Sequence, residues 1–401
     1  MKKDWTYKKL GKVATAKITD LLWFQEGPGV RKNQYTEDGV KLLNVANLVN
    51  GIVDLSTSSR YISEEEAYGK YKHFLVDEGD LIIASSGIQV SYFDKKMGFV
   101  TADQLPLCMN TSTIRFKVLD NSITDIKYFM YYLKSYPFKR QLAKYITGSA
   151  QLNFGPSHLK QMSMPLYPLA IQRSIVAELD LLHSVISKKK EQLRELDNLA
   201  QSLFYQMFGD PITNPMGWEI KKLGEVAPVK SYQGEILSEK GLYWLLNLDM
   251  VEAQTGKILE KNMVDKDEIG NSTTSFSPDN VLYSKLRPYL NKVVLPDTCG
   301  YCTTELLPLL PQRDILNREY LCYLLRSKSF VDYINIKVAG AKMPRVTMDD
   351  FRNFSLPLPP LSLQQSFAAK VSAIEAQKQA VQQSIREIET LLAERMDNYF
   401  G

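Results

Sequence analysis

The chain has few of the side chains that build metal sites, disulfide frameworks or nucleophilic centres. It holds three His and four Cys among 401 residues. The Cys residues show no framework spacing, which is typical of proteins in a reducing cytoplasm. No apolar run approaches the roughly 18–20 residues of a membrane span, and the opening MKKDWTYKKLG lacks the apolar centre of a signal peptide. We therefore expect a cytoplasmic protein that does not enter a membrane.

Signatures of catalytic and nucleotide-binding sites are also missing. The sequence has no GxxxxGK[ST] phosphate loop, no GxGxxG, no HExxH and no [DNS]PP[YFW] string of amino-methyltransferases. His73, His158 and His183 have no Cys or Ser partner nearby in the sequence. The CGYC string at 299–302 lacks the further ligands that zinc needs, so a β-turn is expected there. These absences favour a binding protein over a stand-alone enzyme.

What the chain does have is an internal repeat. Residues 148–209 align with 340–401 at a constant offset of 192 without a gap, and fourteen of the 62 pairs are identical. WTYKKLGKVA at 5–14 matches WEIKKLGEVA at 218–227. The length suits two or three domains, and the net charge of +4 permits an anionic partner without requiring one. The repeat predicts two units in tandem, each with a variable front part and a shared back part.

The back parts predict long helices whose apolar residues recur with heptad spacing. Lys189 and Lys378 each interrupt this seam once, and Arg395 lies near its end. About 34 residues per helix would make a rod of roughly 50 Å. Helix-against-helix packing is favoured over packing of each helix on its own domain, because the two lengths match. The predicted seam consists of Ile175, Leu179, Leu182, Ile186, Leu193, Leu196 and Leu203 in the first helix, and Phe367, Val371, Ile374, Val381, Ile385, Ile388 and Leu392 in the second.

The front parts read as mixed α/β, with short apolar runs between turn-forming residues, and they carry loops suited to binding DNA. Lys and Arg can neutralise phosphates, and Arg, Asn and Gln can hydrogen-bond base edges. The alternative is that these are ordinary solvated loop residues. The candidate DNA-binding residues are Ser86, Gln89, Tyr92, Lys95, Lys96, Gln151, Asn153 and Ser157 in the first unit, and Lys285, Arg287, Tyr289, Asn291, Lys292, Lys342 and Arg345 in the second.

This arrangement resembles the DNA-specificity subunits of type I restriction–modification systems over essentially the whole chain. The resemblance is carried by the W-x-x-K-K-L-G-x-V opening, YSKLRPYLNK, GAKMPR followed by PLPPLSLQQ, the long helix and FGDPITNPMGWE. It implies an α+β fold in which two α/β target-recognition domains are separated by two long helices that form an antiparallel coiled coil. The expected segments are recognition domain 1 at 1–147, conserved region 1 at 148–209 with its helix at about 172–208, recognition domain 2 at 210–339, and conserved region 2 at 340–401 with its helix at about 364–400.

The resemblance also implies a function. Each recognition domain would read one half of a bipartite site in double-stranded DNA, and the coiled coil would set the gap. Two methyltransferase subunits would bring S-adenosylmethionine, and motor-nuclease subunits would bring ATP and Mg, while this chain holds no cofactor, metal or catalytic residue. Two alternatives stay open: the specificity subunit of a type II enzyme of the IIB or IIG kind, and a coiled-coil protein scaffold.

Overall fold

The computed structural model describes residues 13–57, 59–144, 152–338 and 343–401. The chain divides into two compact units, which we call unit 1 (Met1–Ser187 with Ile385–Gly401) and unit 2 (Lys188–Ser384). Each unit therefore combines one front part with segments of both long helices. The predicted recognition domains and conserved regions are divided where the two copies of the repeat begin to differ. Their boundaries therefore do not coincide with those of the compact units.

Unit 1 is a mixed α/β assembly. Its sheets are a four-stranded sheet in the order β2-β11-β7-β9, a three-stranded sheet in the order β10-β3-β6, and three two-stranded pairs. The strands are β1 (Ala14–Lys17), β2 (Leu22–Glu26), β3 (Val40–Leu43), β4 (Leu48–Val49), β5 (Ile52–Val53), β6 (Tyr61–Ile62), β7 (Leu81–Ala84), β8 (Ser86–Ile88), β9 (Met97–Phe99), β10 (Leu107–Met109), β11 (Thr113–Val118), β12 (Leu152–Asn153) and β13 (Ser163–Leu166). The helices are α1 (Ile18–Leu21), α2 (Glu64–Tyr68), α3 (Ile126–Lys134), α4 (Tyr136–Ala143), α5 (Pro156–Leu159) and α6 (Leu169–Phe208), the last of which continues into unit 2.

Unit 2 has a similar arrangement of sheets and helices, with a shorter front part. A four-stranded sheet runs β16-β15-β20-β17, a three-stranded sheet runs β19-β18-β21, and β14 pairs with β22. The strands are β14 (Glu219–Lys222), β15 (Tyr243–Leu246), β16 (Asn262–Val264), β17 (Thr273–Phe276), β18 (Val281–Ser284), β19 (Val293–Val294), β20 (Gly300–Thr303), β21 (Leu306–Leu309) and β22 (Ser355–Leu358). The helices are α7 (Leu223–Val226), α8 (Arg318–Arg326), α9 (Lys328–Lys337), α10 (Met348–Arg352) and α11 (Leu361–Phe400), the last of which continues into unit 1.

The offset of 192 seen in the sequence is also the offset between the equivalent helices in the later part of each unit. Helix α3 corresponds to α8 and α6 to α11, with equal lengths in each pair. The pairing of β1 with β13 matches that of β14 with β22, since Leu166 and Leu358 occupy the same register position. Helices α3 and α8 both begin at a polar N-cap residue. The Asp125 side chain accepts from the N–H groups of Lys127 and Tyr128, and the Asn317 side chain accepts from that of Tyr320.

Both long helices are longer than the sequence pattern predicts. Each has 40 residues and starts three residues earlier than expected, at Leu169 and at Leu361. The residue before each start is a proline, Pro168 or Pro360, whose carbonyl accepts the first main-chain hydrogen bonds of the helix.

The expected β-turn at CGYC is wrong. Gly300 opens strand β20, which pairs with β15 and with β17. A Cβ at Gly300 would lie 2.8 Å from the Phe276 ring and 2.9 Å from the Trp244 carbonyl oxygen. The glycine therefore permits close packing inside a sheet instead of a turn. Cys302 is buried, and burial raises the pKa of its thiol to about 12, which makes it a poor nucleophile.

Candidate DNA interface and helix pair

A short loop in unit 2, residues 285–292, carries most of the candidate cations of that unit. The loop follows β18 and contains a 3-10 helix at Pro288–Leu290. Two non-glycine residues flank this turn in the left-handed region, Arg287 at φ 50° and Asn291 at φ 50°. Such a backbone is unfavourable for a residue with a side chain, so the surrounding contacts must hold it in place.

Those contacts come from both sides of the loop. The Arg287 N–H donates to the Pro344 carbonyl at 2.8 Å. Gln254 holds the other side: its Nε2 donates to the Tyr289 carbonyl at 2.9 Å and its main-chain N–H donates to the Leu290 carbonyl at 2.9 Å. The Asn291 side chain is buried and donates to the Arg326 carbonyl at 3.0 Å. The loop is thus a fixed platform.

The candidate residues of this loop differ in what their side chains do. Arg287 and Tyr289 are exposed, whereas Lys285 is half-buried. Lys292 donates from Nζ to the Leu248 carbonyl at 2.6 Å, so it and Asn291 hold the loop together. Arg345 is exposed and forms an ion pair with Glu305 at 2.8 Å. The side chains free to project from the platform are those of Arg287 and Tyr289.

The corresponding loop of unit 1 is residues 85–96. Gln89 and Tyr92 are exposed, and the Lys95 ammonium lies 5.5 Å from the centre of the Tyr92 ring. Ser86 donates to the Ser112 hydroxyl at 2.6 Å. Lys96 donates from Nζ to the Val45 carbonyl at 3.3 Å, which matches the bond from Lys292 to Leu248. Lys96 is therefore also engaged inside the fold.

Matching main-chain hydrogen bonds align the two loops at their beginnings and at their ends. The Phe154 N–H donates to the Ser85 carbonyl, as the Val346 N–H donates to that of Lys285. The Ala84 N–H donates to the main-chain carbonyl of Lys96, as the Ser284 N–H donates to that of Lys292. The first pair of bonds makes Ser85 equivalent to Lys285 and hence Gly87 equivalent to Arg287. The second makes Lys96 equivalent to Lys292, with four additional residues in the unit 1 loop.

The remaining candidates lie at the edge of what the structure describes. Gln151 and Lys342 fall outside the described residues. The main chain of Asn153 pairs with Ser86 in the β12–β8 pair. Ser157 is exposed on the short helix α5.

The long helices run antiparallel within each unit. In unit 1 the Tyr167 hydroxyl donates to the Tyr399 carbonyl at 3.1 Å, and further along α6 Glu178 pairs with Arg395 at 2.8 Å. In unit 2 Asp197 pairs with Lys378 at 2.6 Å. The Phe204 ring, later in α6, lies 5.8 Å from that of Phe367, earlier in α11. Rising numbers in one helix thus meet falling numbers in the other.

Every predicted seam position is buried or half-buried, including the interrupting Lys189, Lys378 and Arg395. The cations are tolerated because they have partners. Lys378 contacts both Asp197 and Glu375. Burial alone would lower the pKa of Lys378, but the hydrogen bonds to these two carboxylates raise it overall. The partners Glu178, Asp197 and Glu375 were missed by the sequence pattern, which marks apolar spacing and not which surface acid faces the seam.

Two identical residues of the repeat join the long helices to the front parts. Gln172 is fully buried; its Oε1 accepts from the Asp125 N–H at 3.0 Å, and its Nε2 donates to the carbonyls of Ile123 and Tyr167. Gln364 makes the three equivalent bonds in unit 2, to Asn317, Ile315 and Pro359. Their identity in the repeat was the signal available in the sequence.

The last residues of the two helices have equivalent anchoring roles. The Phe208 ring lies 4.7 Å from that of Tyr320, and the Phe400 ring lies 5.3 Å from that of Tyr128. Tyr128 and Tyr320 are equivalent in the repeat. Aromatic contacts of this kind add to the burial of the rings themselves.

No cluster of three or more His, Cys, Asp or Glu suited to a metal ion occurs in the described ranges. None of the helices described here is long and apolar enough to cross a bilayer. What the site offers is exposed cationic, amide and aromatic side chains on fixed loops. Such groups suit hydrogen bonding to bases and contact with phosphates.

Comparison with known families gives a match over most of the chain. The family described as "Type I restriction modification DNA specificity domain" matches residues 2–198 and again residues 215–390. The two matched ranges correspond to the two copies of the repeat.

Individual relatives have similar descriptions. The MjaIX specificity subunit of a type I restriction enzyme from Methanocaldococcus jannaschii is 20% identical, with 93% of this chain and 87% of that one aligned. The MjaVIII specificity subunit of the same organism is 22% identical over 90% and 85%. The EcoDI specificity subunit of Escherichia coli is 22% identical, but the match spans only 43% of this chain and 38% of that one.

Solved structures show the same fold. The S subunit of a type I restriction–modification system from M. genitalium matches with a TM-score of 0.55 and 14% identity, covering 98% of this chain and 97% of that one. A chain from a study of complex assembly and conformational transition of the type I system matches with a TM-score of 0.57 and 18% identity, covering 98% of each chain. The mixed α/β fold with two long helices, expected from the sequence, is confirmed.

Proposed function

Because the chain belongs to the family of type I restriction–modification DNA specificity domains, we propose that its two units each read one half of a bipartite site in double-stranded DNA. A specificity subunit is the DNA-recognising part of a restriction–modification complex, and catalysis belongs to the partner chains. The observation that carries the proposal is the duplication. The equivalent loops, 85–96 and 285–292, share two matching main-chain bonds at their ends and carry different exposed side chains.

The reading residues we propose are the exposed ones on these loops and beside them. In unit 1 these are Gln89, Tyr92, Lys95 and Ser157, and in unit 2 Arg287, Tyr289 and Arg345. Ser86, Lys96, Lys285, Asn291 and Lys292 support the loops, while Gln151, Asn153 and Lys342 stay predictions from the sequence. We keep 1–147 and 210–339 as the recognition domains, and 148–209 and 340–401 as the conserved regions.

The two long helices would act as the spacer between the two half-sites. A 40-residue helix is about 60 Å long, whereas half-sites one turn of B-DNA apart are separated by about 34–36 Å. Support comes from the equal helix lengths and from antiparallel packing inside each unit. Each helix then contributes to both units, so a change in helix length should change the gap.

The proposed complex works in the cytoplasm with two methyltransferase subunits, which carry S-adenosylmethionine, and with motor-nuclease subunits, which use ATP and Mg. This chain contributes recognition and no cofactor. The family match supports partners of these kinds, and their number and docking are part of the proposal.

The deciding experiment is methylation mapping. The chain is co-expressed with the methyltransferase encoded beside it, and the host DNA is sequenced for N6-methyladenine. We expect one bipartite motif with a fixed gap. A continuous motif would overturn the two-reader proposal.

A domain exchange tests the division of labour. Replacing residues 1–147 with the front part of another specificity subunit should alter one half of the motif and leave the other half and the gap unchanged. If a complex that demonstrably assembles produced no methylation dependent on this chain, a scaffold role would replace the proposal.

A further inference from the structure

Unit 2 keeps an arginine where unit 1 uses a glycine. Gly87 and Arg287 are equivalent by the main-chain bonds of their loops, and both adopt a positive φ, 73° and 50°. Glycine adopts this conformation without steric cost, whereas any residue with a Cβ is strained there. The loop backbone therefore favours glycine at this position, and the arginine of unit 2 is a departure from that preference.

The Arg287 side chain makes no polar contact that would stabilise the fold within the part of the chain described here. It is exposed, and no hydrogen bond or ion pair joins its guanidinium to a described residue. Asn291, the other left-handed residue of the loop, is different. Its side chain is buried and donates to the Arg326 carbonyl, so its conformation has a structural reason. Backbone strain that no contact of the side chain compensates is typical of functional residues.

The platform fixes the Cα of Arg287 before any ligand arrives. Its N–H donates to the Pro344 carbonyl, its own carbonyl accepts from the Leu290 N–H at 2.9 Å, and the following Pro288 is buried. A guanidinium on such a base loses less freedom on binding than one on a mobile loop. This preorganisation suits directional hydrogen bonding better than diffuse charge attraction.

We propose that Arg287 reads a guanine in the half-site of unit 2, donating two hydrogen bonds to O6 and N7 of that base in the major groove. Gly87 has no side chain with which to make such a contact, so this loop position reads a base only in the half-site of unit 2. The inference rests on the proposed function, namely that unit 2 reads one half of a bipartite DNA site.

The test compares Arg287→Gly and Arg287→Lys in the assembled methyltransferase complex. The probes are the wild-type duplex, defined by methylation mapping, and duplexes with each base pair of the unit 2 half-site changed in turn. Arg287→Gly relieves the backbone strain, so we expect a Tm that is unchanged or higher by up to about 3 °C. Discrimination at one G·C pair should fall by about 10- to 100-fold, with the other positions and the unit 1 half-site unchanged.

Arg287→Lys keeps the charge but loses the planar pair of donors, and it should lose the same discrimination. Lys240→Gly is the matched control, because Lys240 is an exposed cation of unit 2 with a φ of 56° in a hairpin turn. It should behave as wild type toward DNA while the Tm is again unchanged or higher.

Three results would overturn the inference. If Arg287→Lys kept the discrimination, and Arg287→Gly weakened all sequences alike with a smaller salt dependence, Arg287 would be a phosphate contact. A lower Tm for Arg287→Gly with general loss of binding would make it structural. Wild-type behaviour of both variants would remove it from recognition. Failure of the proposed function is separate, since it would show as a wild-type complex without a bipartite motif.

Discussion

Gln172 and Gln364 are buried polar side chains that tie each long helix to a front part. Both are fully buried, and each satisfies three main-chain groups. Gln172→Ala or Gln364→Ala would leave these groups unpaired and open a cavity. We expect the free energy of unfolding to fall by about 2–4 kcal/mol, measured by urea denaturation. The exposed neighbour Gln365→Ala is the control and should stay within about 0.5 kcal/mol.

Two tyrosines with raised pKa values predict how stability depends on pH. Burial, with a hydrogen bond to Glu178, raises the pKa of Tyr399 to about 12, and burial raises that of Tyr132 to about 12. A folded pKa above the unfolded value of about 10 gives stability that is present below pH 10 and lost as the pH rises toward 12. We expect a steady Tm from pH 7 to about 9.5 and a decline above it. Full tyrosinate absorbance at about pH 11.5 with unchanged circular dichroism would contradict this, because tyrosines with an ordinary pKa of about 10 are ionised there and these two should not be.

At the residue scale, the sequence predicts the loops but not the roles inside them. Exposed Arg287 and Tyr289 could be proposed from residue type alone. Lys96 and Lys292 could not be separated from them, since their main-chain acceptors, Val45 and Leu248, lie more than forty residues away in the chain. A lysine in a loop looks the same whether it binds a phosphate or holds a carbonyl.

At the scale of elements, a charge reversal between the two long helices tests how they pack against each other. Lys378 lies in the seam between Asp197 and Glu375, so Lys378→Glu would bring three carboxylates together. Because the two acids are partly exposed, we expect a moderate loss, about 2–3 kcal/mol of unfolding free energy. Adding Asp197→Lys should restore at least half of that loss. The exposed Lys370→Glu is the control. A double variant as unstable as the single one would argue against this pairing.

Heptad spacing could predict the long helices because their burial is one-sided and regular. It predicted positions that the structure buries or half-buries, the interrupting lysines included. It also predicted helix ends at about 208 and 400, and the helices of the structure end at Phe208 and Phe400. The sheets could not be predicted in the same way. The parallel pairs β3 with β10 and β15 with β20 join segments far apart in the chain, and short apolar runs do not specify their partners.

At the scale of the whole molecule, the repeat is what makes the chain interpretable. The offset of 192 relates the capping Asp125 and Asn317, the buried Gln172 and Gln364, and the terminal Phe208 and Phe400. Residues identical between copies build the shared framework, while the loops at Gly87 and Arg287 differ. A duplicated framework with two different loops suits a protein that must recognise two different half-sites.

The spacer proposal makes the last prediction. Four residues, about one turn, are inserted into both long helices at equivalent points, between Glu191 and Gln192 and between Gln383 and Ser384. This adds about 6 Å of helix, against 3.4 Å per base-pair step. Methylation mapping should show the gap one or two base pairs longer with both half-site sequences unchanged. As a control, four existing residues around each insertion point are replaced by alanine, so that the helices keep their length. The gap should then be unchanged. Because each helix contributes to both units, inserted residues can lengthen the gap without touching either reading loop, so altered half-sites with an unchanged gap would contradict the spacer.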